Sequence, residues 1–169
     1  MGEIALRPVR LDADLALVHG WMQEPHVVPW WELAGPADGV RDYLAGRLAL
    51  GHLACWIATD GAEPFAYVET YRAAEDELAA FFDAAPGDRG FHLLVGPPDA
   101  LGTGAAQRLA RHVLAYLWAQ PGTTRVLCEP DERNTRMLAF CRGLGATEAG
   151  TLEQPGRRAV LMVWEEPLS

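Results

Sequence analysis

Residues 91–108 read FHLLVGPPDALGTGAAQR. An apolar run carrying one histidine stops at two prolines. Four residues after the second proline, Gly-Thr-Gly-Ala-Ala opens an amphipathic stretch. Proline cannot donate to a sheet ladder, so the spacing predicts a strand over 90–95 that ends at Gly96-Pro97-Pro98. Glycines then supply the turn into a helix running from about 104 to 119. A helix start offers unpaired backbone N–H groups and a positive dipole end, and glycines let a phosphate approach that backbone closely. The stretch Gly102, Thr103, Gly104, Ala105 is therefore a candidate pyrophosphate cradle. It is not a Walker loop, because no Gly-Lys-Ser/Thr follows. Nor is it the GxGxxG dinucleotide fingerprint, because position 107 is Gln. Taken alone, an ordinary strand-to-helix turn explains it equally well.

Outward from this centre, punctuation and periodicity divide the rest of the chain. Residues 3–10 read as a strand, with Asp12 as the expected cap of a helix over 13–23. EPHVVPWWEL, 24–33, reads as a proline-punctuated loop. A second helix is expected over 37–50, with Val40, Tyr43, Leu44 and Leu48 at helical spacing. HLACWIATDG and EPFAYVETYR read as a hairpin turning at Asp60-Gly61. An irregular segment leads to strand 90–95. Arg125 to Cys128 reads as a short buried strand, and Asn134 to Leu144 as a helix stopped by Gly145. Strands at about 146–152 and 158–165 meet at QPGR. The order β-α-α-β-β-β-α-β-α-β-β gives an α/β fold, one domain over 1–169, with a sheet of about seven strands and helices on both faces.

Composition narrows the partners. The chain has 169 residues and a net charge of −9, and all 14 of its basic residues are arginine. Such a charge disfavours nucleic acid and anionic membranes and suits a cationic or neutral small substrate. Cys55, Cys128 and Cys141 are odd in number and lack metal-ligand spacing, so buried thiols and no metal are expected. The first ten residues hold no apolar signal core and no long hydrophobic segment follows, so the expected compartment is the cytoplasm.

A second stretch, RVLCEPDERNTRMLAFCRGLGA, joins the glycine turn to a pattern. Together they resemble the GNAT superfamily of acyl-CoA-dependent N-acyltransferases. The resemblance implies a mixed, mostly antiparallel sheet splayed at its centre. It implies acyl-CoA, acetyl-CoA above all, as co-substrate, with its pyrophosphate on the Gly102–Ala105 turn, its arm against the backbone of Leu94 and Val95, and a contact at Asn134. Three positions depart from the pattern, one of them Ala146, where an aromatic usually follows the glycine. Asp99 fills a place usually held by Arg or Gln, and Cys141 stands where a tyrosine often protonates the leaving thiolate. Cys141 is read as packing in the helix face.

Four stretches, HGWMQEPHVVPWWEL, YVETY, FHLLVGPP…LGTG and EPDERN, are together similar to the siderophore-biosynthesis N-acyltransferases. That resemblance implies His92 and Asp131 as the catalytic pair. The acceptor would be a small amine or N-hydroxylated amine, with a lysine, ornithine or diamine side chain. His92 on its strand can take a proton at neutral pH. Asp131, just past the neighbouring strand, can orient His92 or the incoming amine, or else cap the helix that follows. His26, Trp30 and Trp31 are the candidate wall of the acceptor pocket, against the alternative that the tryptophans pin their loop to the core. Alternation in FAYVETYR puts Tyr67, Glu69 and Tyr71 on one face. Glu69 and Tyr71 are therefore candidate acceptor-binding residues, Glu69 for a cationic amine. The rival readings are an aminoglycoside 6′-N-acetyltransferase, which shares the tryptophan loop, and a non-catalytic coenzyme-binding scaffold.

Overall fold

A computed structural model describes residues 2–168. Seven strands form one hydrogen-bonded sheet in the order β1-β2-β3-β4-β5-β7-β6. They are β1 (Ile4–Pro8), β2 (Leu53–Asp60), β3 (Glu63–Arg72), β4 (Asp88–Val95), β5 (Arg125–Cys128), β6 (Thr147–Gln154) and β7 (Arg157–Trp164). The helices are α1 (Leu11–Met22), α2 (Val28–Trp31), α3 (Ala37–Leu48), α4 (Ala105–Trp118) and α5 (Thr135–Gly143). The expected element order stands, with α2 added. By contacts the chain divides into two units, residues 1–69 with 92–109 and residues 70–91 with 110–169, so β3, β4 and α4 each run through both.

In the first unit β1 pairs antiparallel with β2, from Ile4↔Asp60 to Pro8↔Trp56. Pro8 is tolerated because β1 is an edge strand. Helix α1 starts earlier than expected. Its N-cap is Arg10, with no side-chain cap, so Asp12 does not cap it. Buried Asp14 reaches back instead, accepting from the Arg10 N–H at 2.7 Å and from both Arg7 terminal nitrogens at 2.8 and 2.7 Å. Asp12 lies on the surface, paired with Arg41 of α3 at 2.8 Å. The expected loop 24–33 winds into one helical turn, VPWW, because Pro29 sits in the first turn, where its missing N–H costs no helical bond. Helix α3 buries Val40 and Leu44 but ends at Leu48, which is exposed. The β2–β3 turn falls on Gly61-Ala62, one residue later than expected.

In the second unit β4 and β5 run parallel, with Asp88, Arg89 and Gly90 opposite Arg125, Val126 and Leu127. Strand β7 is antiparallel to β5 and to β6, with a bulge between Glu148 and Gly150. Phe91 and Trp164 pack with ring centroids 5.7 Å apart, and the Trp164 indole N–H donates to the Leu144 carbonyl at 2.9 Å. That bond holds the end of α5 on the sheet. Among the described residues no helix is long and apolar enough to cross a membrane.

Candidate active site

The β4–β5 ladder ends at Gly90↔Leu127, yet β4 continues to Val95. Within the first unit this tail is fixed by its own neighbours. The Gly96 N–H donates to the Phe65 carbonyl at 2.8 Å. His26 Nε2 lies 2.8 Å from the Val95 carbonyl oxygen. A carbonyl only accepts, so that ring carries its proton on Nε2. Trp21 lies against Gly96. Helix α1 and the segment leading to α2 are thus docked on the end of the strand.

The expected cradle follows. Gly102 and Gly104 have φ of +76° and +85°, a region that disfavours side chains, and nothing lies within 4 Å of where a Cβ would sit at either. An anion can reach this backbone. The Thr103 hydroxyl donates to the Ala100 carbonyl at 2.8 Å and accepts from the Ala105 N–H at 3.3 Å, setting the turn. Arg108, in the first turn of α4, pairs with Asp60 and donates to the Gly2 carbonyl at 3.1 Å, anchoring the helix start.

A cluster around Glu69 completes the first unit. Its side chain is fully buried, while that of His92 is 25% exposed. Glu69 Oε1 accepts from the Tyr43 hydroxyl at 2.6 Å, the Tyr67 hydroxyl at 2.9 Å and Arg47 Nε at 3.4 Å. Oε2 lies 3.1 Å from both Arg47 Nη2 and His92 Nδ1. Trp31 meets the rings of Tyr43, Tyr67 and His92 edge-on, at centroid distances of 6.4, 5.6 and 6.4 Å. Burial pushes the Glu69 carboxyl up, but the hydrogen bond and charge of His92, the Arg47 charge and the Tyr43 hydrogen bond outweigh it and hold it at about 2. Burial and the Glu69 charge push both tyrosines up, so they remain donors. Burial likewise raises the Cys55 thiol to about 11; its sulfur sits 3.3 Å from the Tyr67 hydroxyl oxygen. Of the residues singled out in the sequence, Trp31, Glu69 and His92 come together here. Tyr43, Arg47 and Tyr67 were not expected in this role. The i, i+4 pair Tyr43 and Arg47 on α3 was the available signal.

The other candidates have their own settings. Trp30 is 37% exposed. In the second unit, Tyr71 is buried and its hydroxyl donates to Glu129 at 2.8 Å. Asp131 accepts from the Arg133 backbone N–H at 2.8 Å and from Arg133 Nε and Nη2 at 2.9 and 2.7 Å. Those bonds hold its carboxyl at about 2. Asn134 is the N-cap of α5, accepting from the Met137 N–H at 3.1 Å. Cys141 is buried on α5 with its sulfur 3.6 Å from that of Cys128. Among the described residues no group of three His, Cys, Asp or Glu could hold a metal ion.

Comparison with known proteins places these features in a family. An acetyltransferase (GNAT) domain model matches residues 10–154. The chain is 32% identical to lysine N-acyltransferase MbtK of Mycobacterium sp. (strain MCS), over 93% of this chain and 65% of that protein, so the relative extends well beyond the match. It is 29% identical to N-hydroxyputrescine acetyltransferase of Acinetobacter baumannii, over 93% of this chain and 75% of that one. The crystal structure of aminoglycoside acetyltransferase AAC(6′)-Ib in complex with coenzyme A aligns over 97% of this chain and 95% of its own, with a TM-score of 0.86 at 28% identity. A family model spanning most of the chain, on a sheet of the same architecture, identifies this protein as a member of the acetyltransferase (GNAT) domain family.

Proposed function

We propose that the protein transfers an acyl group, acetyl above all, from acyl-CoA to the nitrogen of a small amine or N-hydroxylated amine in siderophore biosynthesis. The observation that carries this reading is the placement of His92. It is partly exposed on the part of β4 that runs past its ladder with β5, shortly before a glycine turn whose backbone is open. The relatives named for lysine N-acylation and N-hydroxyputrescine acetylation favour this acceptor class.

The Gly102–Ala105 turn would hold the pyrophosphate, the backbone of Leu94 and Val95 would line the arm, and Asn134 would contribute a contact beyond its capping bond. Acyl-CoA supplies the thioester carbonyl. The acceptor nitrogen–carbon bond forms as the carbon–sulfur bond breaks, and the nitrogen's proton passes to His92. The thiolate is protonated from solvent or by the same ring. An N-hydroxylated amine is a weak base and largely neutral at pH 7, so a single imidazole suffices. Asp131, ionised at neutral pH, would meet the acceptor. His26, Trp30 and Trp31 are the candidates for the acceptor wall; Tyr71, expected among them, is buried with its hydroxyl on Glu129.

The likeness to AAC(6′)-Ib and the net charge of −9 favour a second reading, an aminoglycoside acceptor. Competition at equal concentration among N-hydroxylysine, N-hydroxyornithine, hydroxylated diamines, their parent amines and kanamycin separates the two. Highest kcat/KM on a hydroxylamine or small amine is expected. Preference for kanamycin overturns the assignment, and turnover of none of them supports a coenzyme-binding scaffold.

A further inference from the structure

A carboxylate beside a histidine can do one of two jobs: bind the substrate's cation, or govern the ring. Glu69 has no exposed side-chain surface, and its oxygens already receive Tyr43, Tyr67, Arg47 and His92. An acceptor ammonium would have to displace Arg47, whose own guanidinium is 5.4 Å from the Tyr43 ring centroid and held by it. An ionised carboxylate only accepts hydrogen bonds, so the contact at His92 Nδ1 requires a proton on that nitrogen. In the neutral ring the basic lone pair then belongs to Nε2.

We propose that Glu69 is a positioning residue for His92: clamped by Arg47, Tyr43 and Tyr67, it fixes the ring proton on Nδ1, presents Nε2 as the base, and stabilises the imidazolium that forms as the acceptor's proton is taken. The clamp has a reason in this scheme. Three hydroxyl and guanidinium side chains balance a charge that would otherwise be costly to bury, so the carboxylate is already present and oriented before substrate arrives. The same logic holds a catalytic histidine by an aspartate in serine hydrolases. The groups facing the pair include Arg47 and Tyr43 from α3, Tyr67 from β3 with Cys55 of β2 behind it, and the Trp31 ring from α2.

This inference rests on the acyl-transfer reading, and its test is separable from it. Glu69→Gln keeps an acceptor oxygen for Nδ1 and removes the charge. We expect kcat to fall about tenfold to a thousandfold while the acceptor KM stays within about threefold. The acid limb of the kcat/KM profile should move to lower pH by about one unit, because loss of a neighbouring anion disfavours the imidazolium. A raised acceptor KM with unchanged kcat and pH profile would make Glu69 an acceptor-binding group and overturn the proposal. Nitrogen NMR of the wild-type His92 ring carries the test if the variant does not fold. The Nδ1–H tautomer is expected in the neutral ring, and the Nε2–H tautomer overturns it. Undiminished turnover in His92→Ala would sink the acyl-transfer mechanism itself. An inactive His92→Ala beside a wild-type-like Glu69→Gln would sink only the role given to Glu69.

Discussion

The Trp21 indole occupies the space where a side chain on Gly96 would begin: a Cβ there would fall 2.1 Å from the ring. The glycine that ends the β4 strand segment is thus the floor on which α1 rests, one residue after the Val95 carbonyl held by His26. Gly96→Ala should destabilise the protein by about 1–3 kcal/mol or more, since neither indole nor backbone can yield cheaply. It should also weaken acyl-CoA binding by displacing the strand end. A thermal melt within 1 °C of wild type would show that the packing is looser than this contact implies.

Acyl-CoA binding should depend on the open turn. Gly104 combines φ of +85° with empty space around it. Gly104→Asp brings strain, bulk and a negative charge to the proposed pyrophosphate site, and should cost well over about tenfold in CoA affinity. Calorimetric titration of the folded variant measures this, and wild-type affinity would move the cradle elsewhere.

Acid stability should carry the signature of Glu69. Its carboxyl is held at about 2 in the folded protein, against an ordinary 4.5. A depressed value means that this stabilisation is full above about pH 4.5 and is lost as pH falls toward 2. Between those limits the melting temperature should drop less steeply in Glu69→Gln than in wild type. Asp131, also held at about 2, and Asp14 keep a residual slope. Parallel melting curves for the two proteins would mean that the carboxylate is not ionised inside its clamp.

Cys141 should be dispensable for chemistry. Its sulfur is buried against that of Cys128, 3.6 Å away. Cys141→Ala should retain turnover within about tenfold, at the stability cost of a small cavity. A loss as large as that of His92→Ala would make the thiol the acid that protonates the leaving group.

The fold was legible in the sequence because its centre is written in residues with few conformational options. Two prolines stop β4, two glycines turn the chain, and Gly145 ends α5. The start of α1 was misread because Asp12 and Asp14 are equivalent as local signals, and only the approach of Arg7 selects Asp14. Glu69 was seen but its setting was not. Period-two alternation assumes one open face, whereas β3 is buried at every position from Phe65 to Tyr71. Its partners Tyr43 and Arg47 lie more than 20 residues away on α3. That contact is tertiary: the i, i+4 spacing puts Tyr43 and Arg47 on one face of α3 but does not name Glu69 as what they meet.

The most direct measurement is turnover of the His92→Ala protein, followed by thiol release with a hydroxylamine acceptor, beside calorimetric CoA binding by the same preparation. Loss of the base should lower kcat by roughly 10²–10⁴-fold while CoA binds as in wild type. Wild-type turnover in a folded His92→Ala protein would contradict the assignment of His92 as the base.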